Sequence, residues 1–179
     1  MAPDFDQSDD FKHLYAKALD YLAKQEYSER KLLQKILSLK KRYPQTTRYK
    51  NYTENNIRAV LSVLKGQGLL NEERALREKV TASRSGIYGM RRIKEKCYIQ
   101  LYEKENIEKV FKEFQESEVA HDLTAIIKKV KFRKESLERR YKDDPVKLRT
   151  VRDKLMQFLV TKGFDYDDIK KVLENISEK

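Results

Sequence analysis

Arg30–Ile36 reads RKLLQKI, and the chain writes this phrase twice more, as Arg91–Cys97 (RRIKEKC) and Arg149–Leu155 (RTVRDKL). Each copy opens on Arg and carries an aliphatic residue third, an acid or amide fifth, Lys sixth and an apolar residue seventh. A second phrase follows each copy. Asn55–Leu61 (NNIRAVL) returns as Glu105–Phe111 (ENIEKVF) and as Asp167–Leu173 (DDIKKVL). Two phrases recurring in one order at a spacing of roughly 60 residues mark an internal repeat. Within both phrases the apolar residues recur at three- and four-residue steps, the period of a helix with one buried face.

The starts of these helices share a device. Tyr27 precedes the capping residue Ser28 and lies five positions before Leu32, the spacing of a hydrophobic staple. Tyr88 and Ile93 around Gly89, Tyr52 and Ile57 around Thr53, Tyr102 and Ile107 around Glu103, and Phe164 and Ile169 around Asp165 repeat it. Val146 and Val151 around Lys147 are expected to do the same in the third copy. Asp144-Pro145 supplies a further cap with Pro in the first turn, where its missing N–H costs nothing. Leu37–Asn51 reads as an irregular polar insert. The expected fold is all-α, about nine helices in three tandem three-helix repeats forming an elongated, curved array. The expected divisions are a disordered acidic N-terminus at 1–10 and repeats at 11–70, 71–120 and 121–179. One such unit cannot bury its apolar stripe alone, so neighbours must cover it.

Composition agrees with long amphipathic helices. Of 179 residues, 39% are charged and 39% hydrophobic, with only 5 Gly and 3 Pro, too few turn residues for a sandwich or barrel. A formal charge of +11 favours a polyanionic partner. The charge is also segregated. Tyr27–Lys50 has eight basic residues against one acid and Lys128–Lys154 twelve against five, whereas Leu101–Asp122 has seven acids against three basics.

In the helical register that buries Leu32 and Ile36, Arg30 and Lys31 point outward and Lys35 lies at the flank. Arg91, Arg92 and Lys96 take the same places in the second copy, and Arg149 and Lys154 in the third. Arg152 replaces Leu33 and widens the third patch. Any one of these has the simple reading of a solvated helix face; the repeated sign at fixed register makes the set a candidate binding surface. Tyr43 and Tyr49, lying among basics, are candidates for stacking on bases.

Signals for catalysis are missing. There is no phosphate-binding glycine loop, nucleophile elbow or metalloprotease helix motif, and His13 and His121 stand alone without metal-ligand spacing. Cys97 occupies the column of Ile36 and Leu155 and reads as a buried thiol. No enzyme activity, cofactor or metal is expected. A single cysteine, no signal-peptide pattern and no membrane-length apolar run point to a soluble cytoplasmic chain with no membrane partner.

Four stretches resemble one family. Leu19–Leu37 (LDYLAKQEYSERKLLQKIL), Val60–Arg74 (VLSVLKGQGLLNEER), Gly86–Lys96 and Phe158–Leu173 (FLVTKGFDYDDIKKVL) are similar to the RecX family of bacterial recombination regulators. GLLNEER and the GxYGxxRI turn at Gly86–Ile93 are the most specific pieces. Met90 stands where the family usually has Pro, and Ala75 where an aromatic commonly follows the Arg. The resemblance implies a regulator that binds the RecA–single-stranded DNA filament and inhibits its growth, ATP hydrolysis and strand exchange, in DNA repair, recombination and the SOS response. It implies the RecA filament and single-stranded DNA as partners; a monomer is expected. On this reading the basic set above is the contact, and reversing charge at Arg91 and Arg92 should abolish inhibition with the fold intact. The alternative is a stand-alone basic DNA-binding protein of helix-turn-helix type.

Overall fold

The computed structural model describes residues 8–117 and 122–177. Residues 1–7 of the expected disordered tail, and His121, lie outside the described residues. Ser8 is no part of a tail: its hydroxyl accepts from the Phe11 N–H at 3.0 Å and caps α1 (Asp9–Leu22). Asp9 and Asp10 fill the first turn, where negative charge complements the helix dipole.

Helices then follow with no strand among the described residues: α2 (Glu29–Arg42), a 3-10 turn (Thr47–Asn51), α3 (Glu54–Gly66), α4 (Glu72–Arg84), α5 (Met90–Ile99), α6 (Lys104–Glu116), α7 (Thr124–Tyr141), α8 (Pro145–Arg149), α9 (Val151–Thr161) and α10 (Tyr166–Asn175). Two expectations fail locally. The irregular insert begins at Tyr43 and not at Leu37, because Leu39 keeps the buried stripe of α2 going for another turn. The third phrase is not one helix. Asp144 caps α8 by accepting from the Lys147 N–H at 3.0 Å, and the chain pauses at Thr150 before α9. Val146 is therefore 75% exposed and staples nothing, while Tyr27, Tyr52, Tyr102 and Phe164 are buried with their partners as expected.

The chain divides into two compact units, Met1–Leu76 with Tyr98–Val110, and Arg77–Cys97 with Phe111–Lys179; the divisions fall inside α4, α5 and α6. The first unit has a core of Leu14, Leu32, Ile36, Ile57, Leu61 and Leu64 from α1, α2 and α3. The second is built on Ile126, Val130, Leu155, Leu159, Ile169 and Val172 from α7, α9 and α10.

One kind of junction occurs in each unit. In the first, buried Ser28, the N-cap of α2, accepts from the Lys31 N–H at 3.2 Å and donates to the carbonyl of Gln100, just past the end of α5, at 2.6 Å. In the second, Gly89, preceding α5, donates its N–H to the carbonyl of Lys162, just past the end of α9, at 3.0 Å; Arg91 N–H donates to Gly163 O at 3.2 Å. The Arg91 guanidinium takes the Val160 carbonyl at 2.5 Å. Helix starts have spare donors and helix ends spare acceptors, so each junction satisfies both and sets opposite dipole ends together.

Closeness decides the residues at the second junction. A Cβ on Gly89 would overlap the Gly163 carbonyl, and one on Gly163 would overlap the Arg92 backbone nitrogen. Gly163 also has φ +85°, where L side chains are strained. Leu101 holds the equivalent place after α5 with φ 61°, so that conformation recurs without glycine.

We expect Gly163→Ala to cost roughly 2–4 kcal/mol in urea unfolding, from overpacking and left-handed strain together. Gly66→Ala, which meets nothing within 4 Å, should be neutral or slightly stabilising. Cys97 is buried as expected, and burial pushes its thiol up to about 11. At pH 8 that leaves about a hundredfold less thiolate than an ordinary cysteine carries. Alkylation of the native protein with iodoacetamide should be slower by at least that factor than after unfolding in urea.

Candidate nucleic-acid interface

The sixth-position lysines lie over tyrosine rings in every copy. Lys35 Nζ is 5.0 Å from the Tyr27 centroid and 5.6 Å from that of Tyr21; Lys96 is 3.3 Å from Tyr88; Lys154 is 4.2 Å from Tyr141. In the first two copies the ring belongs to the staple tyrosine eight residues back. In the third that place is Val146, and Tyr141 at the end of α7 substitutes. Lys154 also donates to the Tyr141 hydroxyl at 2.9 Å, which holds that phenol below its ordinary pKa. These half-buried ammonium groups are engaged within the chain, each cation–π contact being worth about 0.5–2 kcal/mol.

The arginines differ among themselves. Arg91 is tied to Val160, and Arg92 pairs with Glu95 at 2.7 Å. Charge reversal at Arg91 would therefore break the junction between α5 and α9, so the expected clean loss of function with the fold intact does not apply to it. By contrast Arg30, Arg149 and Arg152 are exposed, and among the described residues no carboxylate pairs with them or with half-exposed Lys31. Arg149 and Arg152 line a cavity of about 210 Å³ with Lys134 and Glu138. Within the second unit Arg91 and Arg149 are not brought together. Arg91 reaches the last turn of α9 while Arg149 precedes its first, and the 11 residues of that helix span about 16 Å.

The first unit carries a basic segment in which Lys40, Lys41, Arg42, Arg48 and Lys50 are all exposed. Tyr43 is 48% exposed there, its ring 6.0 Å from Tyr49. Tyr49 is half-buried and packs on Tyr52 at 5.1 Å and His13 at 6.4 Å, and the Tyr52 hydroxyl meets His13 Nδ1 at 2.8 Å. Of the two candidate stacking residues, Tyr43 offers the freer ring, and Tyr49 fastens the 3-10 turn to α1.

GLLNEER is a set of fasteners. Asn71 caps α4 by accepting from Arg74 N–H at 2.9 Å. Glu72 accepts from the backbone N–H of Glu29 at 3.2 Å and of Glu103 at 2.6 Å, serving the starts of both α2 and α6. Glu73 pairs with Lys109 at 3.0 Å, and Arg74 with Glu26 at 2.9 Å. On α6, Glu108 accepts from the Tyr98 hydroxyl at 2.6 Å and Glu113 pairs with Arg77 at 2.8 Å, so part of the acidic segment is answered internally. Among the described residues no group of three or more His, Cys, Asp or Glu is placed to hold a metal, and no helix is long and apolar enough to cross a membrane.

The sequence reading passed over Phe132. It is 68% exposed on α7, next to Lys131 and Arg133. Its signal was available: it lies two residues after buried Val130, about 200° around the helix and off the apolar stripe.

Thermal or urea unfolding should separate the two kinds of basic residue. Lys35→Ala, Lys96→Ala and Lys154→Ala should each cost about 0.5–2 kcal/mol, whereas Arg30→Ala and Arg152→Ala should stay within about 0.5 kcal/mol of the parent.

Comparison with known proteins agrees with the geometry. Residues 134–173 match the family model for the third three-helix domain of RecX. The chain is 29% identical over 162 residues to "Regulatory protein RecX" of Clostridioides difficile (strain 630), covering 89% of this chain and 66% of the relative's length. Its fold is similar to the crystal structure of RecX from Lactobacillus salivarius, with TM-score 0.66 and 23% identity over 96% of this chain and 99% of that one. It is similar also to a crystal structure of regulatory protein RecX, with TM-score 0.62 and 23% identity over 96% and 74% of the two chains.

Proposed function

We propose that this chain, which belongs to the RecX family, is a non-enzymatic regulator that binds the RecA–single-stranded DNA filament and inhibits its growth, ATP hydrolysis and strand exchange. The observation that carries the proposal is a set of cations on well-anchored helices with no carboxylate partner among the described residues: Arg30 and Lys31 on α2, Arg149 and Arg152 around α9. A filament of protein and nucleic acid presents repeated negative charge, and such cations meet it without first giving up an internal ion pair. Lys35, Lys96 and Lys154, the other basic residues of the repeated phrase, act chiefly by holding their helices. Division into repeats at 11–70, 71–120 and 121–179, action as a monomer and a cytoplasmic location are part of this proposal.

The test is DNA-dependent ATP hydrolysis by RecA on single-stranded DNA, with this protein titrated well below one per RecA. Inhibition at such ratios is expected, because acting on filaments requires far less protein than coating DNA. Arg149→Glu with Arg152→Glu should raise the half-inhibiting concentration about tenfold, with unchanged unfolding. Inhibition only at saturation of the DNA, or tight sequence-specific duplex binding without RecA, would instead favour the helix-turn-helix reading.

A further inference from the structure

We propose that the outer face of α7 is a direct contact for single-stranded nucleic acid, in which Phe132 stacks on an unpaired base and Lys128 and Lys129 hold the neighbouring phosphates. Helix α7 buries Ile126 and Val130, with Leu137 and Tyr141 packed against the same core. Stepping 100° per residue from that face puts Phe132 and Lys128 on the opposite side, one turn apart, with Lys129 beside them. All three are exposed.

Single exposed apolar residues are ordinary, so the ring alone decides nothing. Its surroundings do. Among the described residues no carboxylate pairs with Lys128, Lys129 or Lys131. The inner basics of the helix are occupied: Arg133 lies 4.7 Å from the Phe158 ring centroid, and Lys134 donates to the Ile176 carbonyl at 2.9 Å. Along α7, the carboxylate nearest Phe132 on the outer side is Glu135, a turn further on. Other strongly exposed apolar residues have different settings, as with Tyr166, which lies among Asp165, Asp167 and Asp168.

An aromatic face amid unpaired lysines suits single strands in particular. Stacking needs a base free of its complement, and every base offers a face, so the contact is tolerant of sequence. A protein partner fits less well, since the centres of protein interfaces are depleted of lysine. This inference deepens the filament reading by naming where the strand would be touched. Its test uses free DNA without RecA, so failure of one leaves the other standing.

Binding of a fluorescently labelled oligothymidylate and of a duplex of equal length would be followed by anisotropy across a salt series. Phe132→Ala should weaken single-strand binding about tenfold and change duplex binding less than twofold, and Phe132→Trp should restore it. Lys128→Gln with Lys129→Gln should flatten the single-strand salt dependence by about 1.4 in log–log slope, two phosphate contacts' worth. Unchanged single-strand binding by Phe132→Ala, or equal loss on both DNAs, would overturn the proposal. So would a concentration-dependent sedimentation of the parent protein that Phe132→Ala abolishes, because the face would then belong to a second copy.

Discussion

The apposition of one helix's start to another's end is the constraint on which the rest of this architecture depends. An α-helix leaves donors unmet at one end and acceptors at the other, and buried polar groups without partners are costly. Ser28 with Gln100, and Gly89 and Arg91 with Lys162, Gly163 and Val160, answer both needs at once. The two junctions differ only in closeness. A serine hydroxyl bridges the first; the second brings backbone to backbone and admits no side chain at Gly89 or Gly163. Glu72 strengthens the first by placing a carboxylate on the start of α2 and on that of α6, where the dipole favours it.

This division of labour separates fastening from recognition. The repeated sixth-position lysines, and the single GLLNEER segment, are bound up in cation–π contacts, caps and ion pairs. Of the cations left over, Arg30 and Arg149 hold the repeat's invariant first position, Arg152 stands where the first copy has Leu33, and Lys128 and Lys129 lie outside both phrases. Repetition of a letter thus does not by itself separate the two roles: the repeated lysines fasten their helices, while two of the repeated arginines stay exposed.

Much of the fold was legible because its causes are local. Apolar spacing, the caps at Ser28, Thr53 and Asp165, and the staples at Tyr27, Tyr52, Tyr102 and Phe164 all act within a turn or two of helix. The column shared by Ile36, Cys97 and Leu155 is buried in all three copies. What the letters hid depends on distant partners. The junction of Gly89 with Gly163, and the diversion of Arg91 to Val160, join residues far apart in sequence, and no periodicity announces them. At Val146 two local rules competed. The Asp144-Pro145 cap won over the staple because it satisfies a backbone N–H and fixes a first-turn φ, where the staple offered only a small side chain. Phe132 was passed over because reading for the core discards what lies off the stripe.

Helix α5 takes part in both junctions, by Gly89 at its start and Gln100 just past its end. Each of its ends is thus held by a junction within its own unit. A residue inserted between Gly89 and Arg91 would turn Arg91 by about 100° about the helix, away from the Gly163 and Val160 carbonyls that it serves. Change in chain length is tolerated where no such contact must be met, as in the exposed turn from Pro44 to Thr46. The chain is elastic in that turn and metric at this helix start.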